Sequence, residues 1–265
     1  MLELIGPLSG ELRRDQRLQA FYFGRHNKPD WHLRLVATGG AEWLEGPVRD
    51  LLDRRLLTEQ ERGGLSAFEH VAPAPEPSRY GGDAGLRLAE QVFHHDTLAC
   101  TELLTAESRG LLEKSRREYC LIMSERYLEL LRFTRDERIA FYRYAYAFEF
   151  ELGRWQDEER QALERRYRAI KDGLLDLLKG DASRDPEQVW GGAAPARIAQ
   201  GCLEAVASPL GELREAHAAG RIHRSLVDLA WTLTHMHCNR LQVEADAEAM
   251  LRFFMHRLHE EEAIA

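Results

Sequence analysis

The sequence predicts an α+β protein: a small, N-terminal, mostly antiparallel β-sheet set against a larger α-helical bundle. Two observations predict it. Residues 31–38 alternate, with Trp31, Leu33, Leu35 and Ala37 on one face and His32, Arg34 and Val36 on the other. From about residue 83 onward the apolar residues instead recur at helical spacing.

The elements follow in order. Gln19 to Arg25 is aromatic-rich, and Asn27-Lys-Pro-Asp30 between it and the second strand is turn chemistry, so the pair reads as a hairpin. Val48, Leu51, Leu52, Leu56 and Leu57 give Gly46 to Glu59 helical spacing, and Leu65 to Ala72 reads as a third strand. Ala72 to Gly82 holds three prolines and ends in a glycine pair, which forbids a regular helix and makes a shaped loop. Helices are expected near 83–98, 106–132, 135–152, 156–179, 195–217, 222–241 and 245–262. Thr134-Arg-Asp-Glu137 has the capping-box pattern of a helix start. Gly180 to Pro195 reads as a linker or surface loop. The whole is expected to be one domain, 1–265, β-rich to about residue 80 and helical from about 83.

Composition narrows the function. Lys+Arg 36 against Asp+Glu 44 leaves a net charge of −8 over 265 residues. A protein that holds nucleic acid through phosphates wants a basic surface, so direct nucleic-acid binding is disfavoured. Only four of the basic residues are lysine, the rest arginine; a GC-rich genome explains this, and so does a need for forked, permanently charged groups. The four cysteines (Cys100, Cys120, Cys202, Cys238) lack C-x-x-C spacing, which suggests neither a zinc knuckle nor a disulfide scaffold. The N-terminus does not read as a signal peptide, and the apolar stretch 226–239 is too short to cross a bilayer. A cytoplasmic protein is expected. His94-His95 and His235-x-His237 are spaced poorly for one metal ion on a helix. The motifs of zinc hydrolases, P-loop NTPases, α/β-hydrolases and dinucleotide binders are absent, so neither metal nor cofactor is expected.

Three places hold polar groups that could carry chemistry. Arg34 lies mid-strand, Glu76 and Arg79 lie in the proline–glycine loop, and His235, Asn239 and Arg240 lie on an otherwise apolar helix. His235 and Asn239 are i,i+4 and share a face that Asp228 and Thr232 extend. Each has a plain alternative: a solvated strand face, a local ion pair, or a satisfied helix layer.

At these same residues the sequence resembles a known family. Phe21-Tyr-Phe-Gly-Arg25 with Pro29-Asp-Trp-His-Leu-Arg-Leu35 resembles the opening of the C-terminal elimination domain of class I lantibiotic dehydratases, also found as a separate thiopeptide-type bacteriocin biosynthesis protein. Pro75-Glu-Pro-Ser-Arg-Tyr-Gly-Gly82, running into Ala89-Glu90 and Phe93 to Asp96, resembles its second block. Leu233-Thr-His-Met-His-Cys-Asn-Arg-Leu241 resembles its third. The blocks fall in the family's order.

The resemblance implies a lyase of peptide antibiotic biosynthesis. It would remove glutamate from glutamylated Ser or Thr of a precursor peptide and leave dehydroalanine or dehydrobutyrine. A separate protein, dependent on glutamyl-tRNA, would attach the glutamate; a homodimer stays open. The implied catalytic residues are Arg34, Glu76, Arg79 and His235, with Arg25, His32, Tyr80, Asn239 and Arg240 binding substrate. Arginines can fork onto a carboxylate or polarise a carbonyl, and histidine is the natural proton handler. Two alternatives accompany this: a sister branch that joins two dehydroalanines in a formal [4+2] cycloaddition to the thiopeptide pyridine with loss of the leader, and a non-catalytic peptide-binding partner of a dehydratase.

Overall fold

The structure, a computed structural model, describes residues 2–71, 76–151, 155–178 and 185–262; side chains at 148–151 are not described. The chain opens on helix α1 (Leu2–Leu12), where no element is predicted. Gly6, Pro7 and Gly10 argue against a helix there, yet burial of Leu4, Ile5, Leu8 and Leu12 overrides their propensities. Strands β1 (Ala20–His26) and β2 (His32–Thr38) then form the expected antiparallel hairpin. A short helix α2 (Ala41–Trp43) passes through a π-helical turn, Leu44–Val48, into α3 (Arg49–Glu61). Pro47 lies in that turn and cannot donate a backbone hydrogen bond.

Among the described residues the sheet has two strands. The predicted third strand is corrected: residues 65–71 are irregular, and Ala72 lies outside the described residues. Leu65 and Phe68 pack on the small core, while His70 pairs with Asp53 on α3. The outer edge of β1 is already taken. His94 Nδ1 accepts from the N–H of Phe21 (3.1 Å), Arg240 Nε donates to the carbonyl of Phe23 (2.9 Å), and the Asn239 amide bonds both backbone groups of Arg25 (2.7 and 2.9 Å). Helix side chains thus do the work of a third strand.

The helical part comprises α4 (Asp83–Ser108), α5 (Arg116–Leu130), α6 (Arg135–Glu151), α7 (Asp157–Leu178), α8 (Pro186–Trp190), α9 (Ala193–Ala218), α10 (Leu226–Arg240) and α11 (Ala245–Glu261). Helix α4 runs ten residues beyond its expected end. Thr101 and Thr105 satisfy their hydroxyls on carbonyls one turn back, so neither interrupts it. The break falls instead at Gly110 (φ 70°), where Leu111 N–H bonds Ala106 O and Gly110 N–H bonds Glu107 O. This is a glycine-closed helix end. Thr134 and Glu137 bond reciprocally, as their spacing predicts. The expected linker contains α8 and the first three residues of α9, and its residues 180–184 lie outside the described residues.

Two apolar cores flank the hairpin. Phe21 and Phe23 enter the smaller one with α1, Trp43 and Leu56, while α4, α5, α6, α9, α10 and α11 enclose the larger one. Tyr22, on the other face of β1, packs its ring on Phe93 of the larger core. No helix among the described residues is long and apolar enough to cross a membrane.

Candidate functional site

The hairpin register pairs Gly24 with Arg34 and His26 with His32. Directly opposed residues share a face of an antiparallel pair, so His26, His32 and Arg34 stand together. His26 and His32 stack, with ring centroids 5.2 Å apart. Burial, followed by the charges of Arg34, His32, Arg79 and His235, holds the His26 imidazole below its ordinary pKa. Four groups from β2, the proline–glycine loop and α10 therefore act on one imidazole.

The loop reaches this place through close backbone packing. Pro77–Tyr80 form a 3₁₀ turn, and Gly81 follows with φ 77°. A Cβ at Gly81 would lie 2.5 Å from Ile222 and 2.9 Å from the backbone nitrogen of Arg224; one at Gly85 would lie 1.9 Å from the carbonyl oxygen of Tyr80. The turn consequently seats on both α4 and the segment 222–224 that leads into α10. Arg79 and Glu76 are exposed, while Tyr80 is half-buried against Phe93. Burial raises the Tyr80 hydroxyl's pKa, against the opposing charges of Arg79 and Arg240.

His235 projects from α10, stacks on Trp231 at 5.1 Å and keeps 30% of its side chain exposed. Its Nδ1–H donates to Glu248 Oε2 at 2.8 Å. The other oxygen, Oε1, accepts from Arg252 at 3.1 Å, and Arg252 reaches Ser124. Burial would raise the Glu248 carboxyl; the charge and hydrogen bond of His235, then those of Arg252, outweigh it and lower it. With Nδ1 fixed on a buried carboxylate, Nε2 is the nitrogen left to exchange a proton.

A second polar network lies behind β1. Asp96 Oδ1 accepts from His237 Nδ1 (2.6 Å) and Tyr127 (2.9 Å), and Oδ2 accepts from Arg240 Nη1 (2.6 Å). Burial alone would raise the Asp96 carboxyl, but His237 and then Arg240 hold it well below the usual carboxylate range. Asp96, Cys100 and His237 place ligand-type atoms within 4.8 Å of one another. The donor set nevertheless suits a cation badly. Both carboxylate oxygens are committed, the Arg240 guanidinium already supplies the positive charge, and burial pushes the Cys100 thiol up.

The structure thus brings Arg34, His32, Arg79 and His235 around His26, with Glu76 and Tyr80 on the adjoining turn. It sets three expected binding residues apart. The Arg25 side chain lies over Trp31 and pairs with Glu244, Asn239 bonds the β1 backbone, and Arg240 is fully enclosed. Those positions hold the hairpin to the helices rather than facing the open side. Sequence reasoning missed His26, Glu248 and Asp96. Asp96 had a signal: with Val92, Phe93 and Cys100 it sits at helical spacing inside an apolar stripe. Glu248 had none, lying among several acids on α11.

No curated protein sequence matches the chain. Its fold is similar to the crystal structure of the tRNA-dependent lantibiotic dehydratase MibB from Microbispora sp. 107891, at a TM-score of 0.74 and 20% identity. That likeness covers 98% of this chain and 26% of MibB, so the chain spans about a quarter of that protein's length. The family model described as lantibiotic biosynthesis dehydratase C-term matches residues 1–259. Matched over nearly its whole length, the chain belongs to the family of lantibiotic dehydratase C-terminal domains.

Proposed function

We propose that the protein is a lyase that eliminates glutamate from glutamylated Ser or Thr of a precursor peptide, leaving dehydroalanine or dehydrobutyrine. The observation that supports this is that Arg34, Arg79 and a Glu248-anchored His235, from three separate elements, all act electrostatically on His26. β-Elimination needs a base for the Cα proton, donors for the enolate-like charge, and a grip on the departing carboxylate. His235 Nε2 takes the proton, and Glu248 steadies the imidazolium that forms. The electron pair enters the adjoining carbonyl and returns to form Cα=Cβ as the Cβ–O bond breaks. Glutamate leaves with the electron pair of the broken Cβ–O bond as a carboxylate, onto which Arg34 and Arg79 fork. Glu76 helps to hold the turn that carries Arg79, its backbone carbonyl accepting from the Arg79 N–H at 3.0 Å. The leaving group is already activated, so neither tRNA nor ATP enters this step, and a separate glutamylating protein supplies the substrate.

The test is incubation of the protein with a glutamylated Ser/Thr peptide without tRNA or ATP, followed by mass spectrometry. Loss of glutamate with gain of the dehydro residue is expected. An unchanged peptide beside folded protein would refute the reading. Consumption of a peptide already carrying two dehydroalanines, with release of its leader, would move the chain to the pyridine-forming branch.

A further inference from the structure

We infer that His26 is a further catalytic residue of this site: an imidazole that donates a hydrogen bond to the carbonyl oxygen on which the enolate charge develops. The inference rests on the elimination reading above. His26 ends β1, stacks on His32, and lies within reach of charges from β2, the 77–80 turn and α10. Position 24 is bare: a Cβ there would come within 3.2 Å of His26 Nε2 and 3.0 Å of Met236 Cε. The His26 ring therefore folds back over Gly24, opposite Arg34, and faces the helix segment that carries His235.

The chemistry needs a donor at this spot. His235 is occupied with the Cα proton and the arginines with the leaving carboxylate, which leaves the enolate oxygen unserved. A neutral imidazole suits it better than an imidazolium, because it stabilises the oxyanion without handing over a proton that would quench the enolate. Burial, then the charges of Arg34, His32, Arg79 and His235, lower the pKa of His26 and so favour that neutral form. The donor begins and ends the step as neutral imidazole, so no proton or electron is gained or lost at His26. Gly24 is the positioning residue, since its missing side chain gives the ring its place.

The experiment compares wild type, His26→Phe and His26→Gln on the glutamylated peptide, with kcat, KM, pH profile and melting curve for each. His26→Phe keeps a ring for the His32 stack but loses the donor; its kcat should fall about 10²–10³-fold with KM changed little. His26→Gln retains an amide donor near the Nε2 position and should recover at least about tenfold of that loss. The acid limb of the kcat profile should not move in either variant. Gly24→Val, which displaces the ring without altering its chemistry, should resemble His26→Phe. Full kcat in folded His26→Phe overturns the inference; so does loss of the acid limb in His26→Gln, which would make His26 the base. Should His26→Phe fail to fold, His26→Gln and its pH profile decide alone. If wild type releases no glutamate, the elimination reading falls first, and the role of His26 falls with it.

Discussion

The open face and the network buried behind it use the same residue types in opposite ways. Behind the hairpin Arg240 meets Asp96, and elsewhere in the helical part Arg252 meets Glu248 and Arg138 meets Glu125. In front, Arg34 and Arg79 are exposed, and among the described residues neither forms an ion pair. A buried guanidinium must be paired because desolvation is costly, so its partner is dictated by the fold. Exposed cations gathered around a histidine have no such requirement and repel one another. A fold gains nothing from that arrangement, whereas an anionic ligand does.

The largest effect should come from breaking the buried side. Asp96→Ala leaves Arg240 and His237 enclosed without their carboxylate. About 3–5 kcal/mol of stability should be lost, read from the urea midpoint. Because Arg240 also holds Phe23 of β1, hairpin and helices should separate in native-state hydrogen exchange before the rest opens. A stability change below about 1 kcal/mol would mean that the network is not what joins them.

The same test on the open side should read in rate instead. His235→Gln should lower elimination about 10²–10⁴-fold while the melting curve stays near wild type, since the side chain is partly exposed. Glu248 lies where the two regions meet. Glu248→Gln should cost both activity and stability, because it weakens the hold on His235 and leaves Arg252 short of its charge partner. A His235→Gln protein with full turnover, or one that fails to fold, would dissolve the contrast.

A smaller effect is expected where backbone packing supports the site. Gly85→Ala places a Cβ on the Tyr80 carbonyl, so the 77–80 turn must move. About 1–3 kcal/mol should be lost, and kcat should fall further than stability alone explains, because Arg79 rides on that turn. Unchanged kinetics would show that the position of Arg79 is not critical.

How far all this was legible depends on range. Local patterns were readable: alternation over 31–38, turn residues at 27–30, the Thr134–Glu137 box and helical periodicity beyond 83 all match the structure. What failed was decided by tertiary contacts. Helix α1 exists because its leucines are buried despite unfavourable glycines and a proline. Residues 65–71 stay irregular while the β1 edge goes to Asn239, Arg240 and His94, which are distant in sequence. The site shows the same division. Its separate blocks could be picked out, but that Glu248, thirteen residues beyond His235, would bond it depends on how α11 packs against α10.

The subtlest difference between the two regions should be their response to acid. His26, His94, His95 and His256 have pKa values lowered from 6.5, with burial the largest cause in each case. A group whose folded pKa lies below its unfolded value stabilises the fold above the unfolded pKa and loses that contribution as pH falls through the folded one. Stability should therefore begin a shallow decline below about pH 6.5. Asp96, Glu125 and Glu248 are also lowered, from 3.8, 4.5 and 4.5, by the cations that outweigh their burial. Their contribution is complete above those values and is lost only as the pH falls below them, so the steep phase of acid unfolding belongs to the buried network. Urea midpoints measured from about pH 8 to pH 3 should show the two phases, and His26→Gln should flatten part of the first while leaving the second in place. Stability that rises between pH 7 and pH 5 would have the opposite sign, and would mean that these histidines gain partners on folding rather than lose water.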